Sequence, residues 1–266
     1  MLDRSPQFLR TPALPGPQQK VLFAERRLRD AILWCEIAPG SLVTETALGA
    51  AFNLAKAATR TALARLAGEG LVQPITRKGW RVRPITGEMI GSLIQARRLV
   101  EPTLGEACPA ESVLRRVNDL VPIVQAMRRQ TEPQSLLAAR QYERELLNLL
   151  AAQANPFVQR WLHELWDHSE RTVRFLEGRS AARLAMSDPA PLAAAVKAGD
   201  RDAVRAERLA AVDDFEIFVG RVLLSDPAEI GSSGHEPARK GRRGKGEPRN
   251  TDGSAHTFIK PRGAYS

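Results

Sequence analysis

The stretch Thr44–Val72, TETALGAAFNLAKAATRTALARLAGEGLV, decides how the rest of this 266-residue chain is read. It has the pattern of two short helices joined by a tight turn, with the second ending at Gly70 ahead of a strand. Counting from Ala55 at about 100° per residue places Ala55, Ala58, Thr59, Ala62, Leu63 and Leu66 in one arc, the buried face of an amphipathic helix. Lys56, Arg60, Thr61 and Arg65 fall on the opposite arc. Small and apolar residues inside, with two cations one turn apart near the N-terminal end, suit a helix that enters a DNA major groove. A surface helix with solvated charges has the same pattern, so this segment alone leaves both readings open.

The flanking residues shift the balance. Leu71–Ile75 and Trp80–Arg83 read as two short strands, and Thr76-Arg77-Lys78-Gly79 between them forms a basic turn with a flexible glycine. A helix-turn-helix followed by such a hairpin is a winged helix, whose basic tip reaches phosphates or the minor groove. Upstream, Val21–Cys35 is helical in pattern, and Ala38-Pro39-Gly40 is a turn leading into Leu42-Val43.

Residues 20–84 resemble the DNA-binding domain of GntR-family bacterial transcriptional regulators. The resemblance rests on IAPGSLV at 37–43, TALGAAFNL at 46–54, RTALARLAGEGLV at 60–72 and TRKGWRV at 76–82. It implies DNA contacts by Lys56, Arg60, Thr61, Arg77, Lys78 and Gly79. The chain departs from the family pattern at the start of the recognition helix. The capping hydroxyl is replaced by Ala55 and the first arginine by Lys56, while Thr46 stands where some relatives carry another arginine. Lysine cannot reproduce the bidentate fork of arginine on guanine, so operator preference is expected to differ from the family norm. Losing a side-chain N-cap typically costs ~1 kcal/mol, which a packed turn tolerates.

Charge is unevenly spread. The net charge is +9 with a pI of about 10.2. From Gly231 onward, eight Lys/Arg stand against three acids, a balance of +5 that leaves +4 for residues 1–230. A mildly basic folded part must bind DNA through a local patch rather than through its overall field. Residues 1–19, with four prolines, read as a flexible arm. Residues 225–266 read as a disordered basic tail, with few aromatics to argue for nucleic-acid stacking. With no signal-peptide core and no apolar run of about 18 residues, a cytoplasmic protein is expected. Cys35 and Cys108, in apolar helical surroundings, are expected to be buried thiols.

From Pro84-Ile85-Thr86 to Leu224 the chain reads as helices at 87–107, 110–130, 134–153, 156–179, 189–198 and 200–224, punctuated by proline, Asn155-Pro156 and Gly199-Asp200. The fold class is therefore mainly α, a winged helix-turn-helix followed by an antiparallel all-α bundle at 85–224. The bundle resembles the FCD-type ligand-binding domain of the FadR subfamily. The matching residues are Arg97-Arg98-Leu99-Val100-Glu101-Pro102, Asn155-Pro156 and AAAVKAGDRDAV at 193–204. That resemblance implies a homodimer on a pseudo-palindromic operator and a small-molecule effector such as an organic acid. Repression released by ligand is the family-typical expectation.

Many FCD domains hold a divalent metal with one aspartate and three histidines. The corresponding positions here fall at about Tyr142, Leu146, Pro189 and Ala211, and the bundle contains only His163 and His168, roughly 140° apart on a helix. No metal and no cofactor are therefore expected. Arg97, Tyr142, Arg171 and Arg174 are the candidate effector-binding residues, with an i, i+4 pair to Glu101 an equal reading for Arg97. His163 and Asp167 read as an exposed ion pair, and Glu143, Glu145, Glu164 and Glu170 as a solvated face. No catalytic constellation or phosphate loop is present, so an enzyme is not expected. A binding module whose bundle serves assembly alone is the competing reading.

Overall fold

The computed structural model describes residues 16–130 and 132–225, and the chain divides between Pro84 and Ile85 into two compact units. The rest of the expected N-terminal arm and nearly all of the basic tail lie outside the described residues. Residues 17–19 do not belong to an arm, because α1 spans Pro17–Leu33. Proline's fixed φ suits the first helical position, where its missing N–H is no loss.

The first unit continues with β1 (Leu42–Val43), α2 (Glu45–Phe52), α3 (Lys56–Gly68), β2 (Val72–Ile75) and β3 (Gly79–Val82). Thr44 caps α2 by accepting the Ala47 N–H at 3.1 Å. Asn53, with φ of 53°, ends that helix in the left-handed conformation and lets the chain turn within three residues into α3. Glycine is required at 49, since a Cβ there would lie 2.9 Å from the Leu54 carbonyl oxygen inside the turn. The core is formed by Ala24, Leu28, Ala31 and Ile32 of α1, Leu48 of α2, Ala62, Leu63 and Leu66 of α3, and Val43, Val72 and Val82 of the sheet. A fully buried leucine of this kind contributes about 1.5–3 kcal/mol.

The sheet is antiparallel, ordered β1-β3-β2, with Val43 opposite Trp80 and Ile75 opposite Gly79. Leu42 and Val43 were expected only as the end of a turn. Two residues carry no strand signal of their own and become a strand because β3 offers them an open edge.

The second unit contains α4 (Gly87–Val100), a 3-10 turn (Glu101–Glu106), α5 (Glu111–Arg128), α6 (Pro133–Ala151), α7 (Pro156–Glu177), α8 (Pro189–Ala198) and α9 (Arg201–Ser225). Its caps are legible locally. Thr86 accepts from Met89 N–H, Asn155 from Phe157 N–H and Asp188 from Ala190 N–H, and Gly199 ends α8 with φ of 68°. The first helix, expected to run to 107, tightens into a 3-10 turn at Glu101, where Pro102 has no N–H to continue the α ladder.

In this unit α5 packs on α6 and α8, α8 on α9, and α4 on α7, α9 and the 3-10 turn. Two apolar clusters result. One is built around Leu104, Leu120, Leu146, Leu150, Leu162 and Trp166, the other around Ile90, Leu93, Val173, Leu176, Phe215 and Val219. Cys108 is exposed and Cys35 only partly buried, which overturns the expectation of two buried cysteines. Cys108 lies in the loop that follows the 3-10 turn, beyond the apolar face.

Candidate nucleic-acid interface and bundle cavity

On α3 the buried residues are Ala58, Thr59, Ala62, Leu63 and Leu66. Ala55, expected in the same arc, is instead the exposed N-cap, with no side-chain capping bond. The opposite face presents Lys56, Arg60, Thr61 and Arg65 to solvent. Arg60 donates its Nε to both oxygens of Glu45 on α2, at 2.9 and 3.0 Å, and its two terminal nitrogens take no part in that pair. The hydrogen bond from Arg60 holds the Glu45 carboxyl below the usual carboxylate range, with Lys56 adding to the effect. Arg65 is committed elsewhere, donating to Glu25 of α1 at 2.8 Å. Thr61 bonds back to the Ala57 carbonyl at 3.1 Å.

Arg77, Lys78 and Gly79 form the wing tip between β2 and β3, where Arg77 takes a φ of 62° and both cations are exposed without an ion pair among the described residues. Gly79, at φ of 101°, packs its α-carbon against the Val43 carbonyl and leaves no room for a Cβ. Sequence reasoning passed over Arg81, an exposed β3 cation that likewise has no ion pair among the described residues. Its signal is strand alternation, which sets Arg81 outward between Trp80 and the buried Val82.

The second unit holds a cavity of about 140 Å³ where its two apolar clusters meet. Leu147 and Trp166 come from one cluster, Val173 and Phe215 from the other, and Arg97, Arg140, Glu143, Arg144, Glu170 and Arg208 supply charge. Arg97 is therefore a lining residue, and it also makes the i, i+4 pair with Glu101. Arg208 reaches the same Glu101 carboxylate through Nε at 3.0 Å and a terminal nitrogen at 2.6 Å. All three are buried. Burial pushes the Glu101 carboxyl up, but Arg208 and Arg97 outweigh it and hold that group below its ordinary value. Arg140 forms a two-pronged pair with Glu177 at 2.7 and 2.9 Å, and Arg144 pairs with Asp167.

Three of the four expected effector residues are not brought to this cavity. Tyr142 packs with the first apolar cluster, while Glu143, one residue on, enters the cavity. Arg171 is fully buried in α7 away from the lining, and Arg174 pairs with Glu170 on its own helix. Glu143 and Glu170 line the cavity and so are not part of a solvated face, whereas Glu145 pairs with Arg116 outside. His163 stacks near Trp166 at a centroid distance of 6.2 Å, and Asp167 pairs with Arg144 of α6. Burial lowers the His163 pKa.

The missed residues had a sequence signal. Arg140, Glu143, Arg144 and Leu147 follow i, i+3, i+4, i+7 spacing, as do Trp166, Ser169, Glu170 and Val173. Charge at core-facing spacing marks a polar hole in a core. No group of three or more His, Cys, Asp or Glu positioned for a metal occurs among the described residues.

The first unit thus has the architecture of a winged-helix DNA-binding domain. Residues 20–82 match the family described as bacterial regulatory proteins, gntR family. Among solved structures, the chain is similar to Escherichia coli McbR/YncC, with 14% identity over 77% of this chain and 98% of that one and a TM-score of 0.57. It is also similar to a GntR transcriptional regulator from Rhodococcus sp. RHA1, with 19% identity over 77% and 96% of the chains and a TM-score of 0.50. These likenesses are of fold, and their coverage extends well beyond residues 20–82 into the helical unit. No curated protein matches the chain. The protein therefore carries, at residues 20–82, a domain of the gntR family of bacterial regulatory proteins. No helix among the described residues is long and apolar enough to cross a membrane.

Proposed function

We propose that the protein is a cytoplasmic, homodimeric repressor of the FadR type. In this reading two winged helices bind a pseudo-palindromic operator, and each FCD-like bundle senses a small organic acid without the metal common in that subfamily. Lys56, Arg60 and Thr61 face the major groove, while Arg77, Lys78 and Gly79 lie against phosphates or the minor groove. One recognition helix reads only a few base pairs, so a twofold-related pair is the usual route to specificity.

The observation that carries the sensing half of the proposal is the arginine-walled cavity. Four guanidiniums reach its wall, and two of them share one carboxylate and keep further N–H groups, the donors that a carboxylate ligand takes. Of the four candidate effector residues, Arg97 remains in this proposal, and Glu143 replaces Tyr142.

The test is to select bound fragments from the source genome and then measure fluorescence anisotropy on the selected operator with and without a library of small acids. Two protomers per palindromic site and release of DNA by at least one acid are expected. One-to-one binding to a half-site by a monomeric protein removes the dimer reading. A library in which no compound raises the melting temperature removes the sensor reading.

A further inference from the structure

Within the cavity the charges do not cancel in pairs. Arg140 is matched by Glu177, Arg144 by Asp167 and Arg174 by Glu170. Arg97 and Arg208, however, share the single carboxylate of Glu101. Arg97 uses only its Nε there and Arg208 leaves one terminal nitrogen unused, so both keep N–H groups with no acceptor among the described residues.

Glu143 lines the same space and makes no hydrogen bond among the described residues. The charges acting on it are Arg208 from α9, Arg97 from α4, Arg140 one turn earlier on its own helix, and Glu101 from the 3-10 turn. Glu170 of α7 and Asp214 of α9 line the remaining wall, with Asp214 accepting the Ser187 hydroxyl at 3.1 Å. Arginines Arg97 and Arg208 with Glu101 thus carry one surplus positive charge, which either an ionised Glu143 or a bound anion neutralises. When an anion is present, an ionised Glu143 faces it as a like charge. A protonated Glu143 instead supplies an O–H donor to it.

Resting on the sensing reading above, we propose that Glu143 binds the effector and takes up one proton as a small monocarboxylate enters the cavity. The ligand carboxylate then lies on the unused N–H groups of Arg97 and Arg208 with Glu143 protonated against it. Its short hydrocarbon part lies on Leu147, Trp166, Val173 and Phe215. One pair of guanidiniums with unused N–H groups suits a single carboxylate. A hole of about 150 Å³ holds a benzene-sized molecule, so the 140 Å³ here has room for an acid the size of propionate or butyrate. Burial raises the Glu143 carboxyl above its ordinary value against the pull of the three arginines, which favours the protonated form.

Calorimetric titration of the full chain with propionate and butyrate at pH 6, 7 and 8, in two buffers of different ionisation enthalpy, tests this. Proton uptake approaching one per ligand is expected, with affinity falling by up to roughly tenfold per pH unit above the free-state pKa of Glu143. Glu143→Gln, a neutral mimic of the protonated form, is expected to bind butyrate with flat pH dependence and no proton uptake. Binding by the unaltered chain without proton uptake overturns the proposal, as does wild-type pH dependence in Glu143→Gln. If the variant does not fold, judged by circular dichroism, the proton count on the unaltered chain decides. Failure of both acids to bind also overturns it. A thermal-shift library then separates the outcomes, since a stabilising compound of another class leaves the sensor reading standing and none removes both.

Discussion

Arg60 is held by Glu45 through one nitrogen while its outer pair stays free, so the side chain is oriented before DNA arrives. Less freedom is then lost on binding than for an untethered arginine. Arg60→Ala is expected to weaken operator binding by at least roughly tenfold, the low end of a lost base contact, with an unchanged circular dichroism spectrum. Full affinity in that variant would show that another side chain reads the site. In the bundle, Glu101 is a fully buried carboxylate that answers two arginines. Glu101→Gln leaves Arg97 and Arg208 buried beside each other without a counter-charge, and breaking such a pair costs about 3–5 kcal/mol. Chemical denaturation is the measurement, and an unchanged midpoint would mean that water or relaxation satisfies both arginines. At this scale the sequence was legible where spacing alone decides. The buried arc of α3 follows from periodicity, whereas Glu143 was missed because each residue turns a helix by about 100°. An alignment one residue out therefore names Tyr142, on a different side of α6 from the cavity.

Elements were legible to the extent that their ends carry chemistry. Thr86, Asn155-Pro156, Asp188-Pro189 and Gly199 each mark a boundary with a cap or a forced φ, and the helices begin and end close to them. β1 and the 3-10 turn were not legible, because the first exists only through its pairing with β3 and the second through the loss of one N–H at Pro102. The wing is the element most sensitive to a single atom. At Gly79 a Cβ meets the Val43 carbonyl, on a backbone conformation that side chains rarely adopt. Gly79→Ala is expected to cost about 1–3 kcal/mol of strain and to weaken pairing of β1 with β3, displacing Arg77 and Lys78. Operator affinity should fall together with the melting temperature of the first unit. Loss of affinity with intact strand pairing, read from amide chemical shifts, would point to a direct contact at Gly79 instead.

For the molecule as a whole, the buried Glu101 and the half-buried Glu143 work in opposite directions with pH. Glu101 has a folded-state pKa below its unfolded value, so its contribution is present above the unfolded pKa and lost as pH falls through the folded one. Glu143 has a folded-state pKa above its unfolded value. Its contribution is complete below the unfolded pKa and lost as pH rises through the folded one. Denaturation midpoints across pH should therefore decline on the acid side through Glu101, and Glu143→Gln should flatten the decline that sets in above the unfolded carboxyl pKa and ends once pH has passed the raised one. An unaltered alkaline slope in that variant would assign the decline to other groups. The meeting of two apolar clusters at a hole also bears on how the bundle breathes. Amide hydrogens on α6 and α7 that lie over one cluster and over the other are expected to exchange as two populations of unequal protection. A molecule filling the gap should fuse them into one cooperative block, so that the effector acts on the timing of local unfolding as well as on its position.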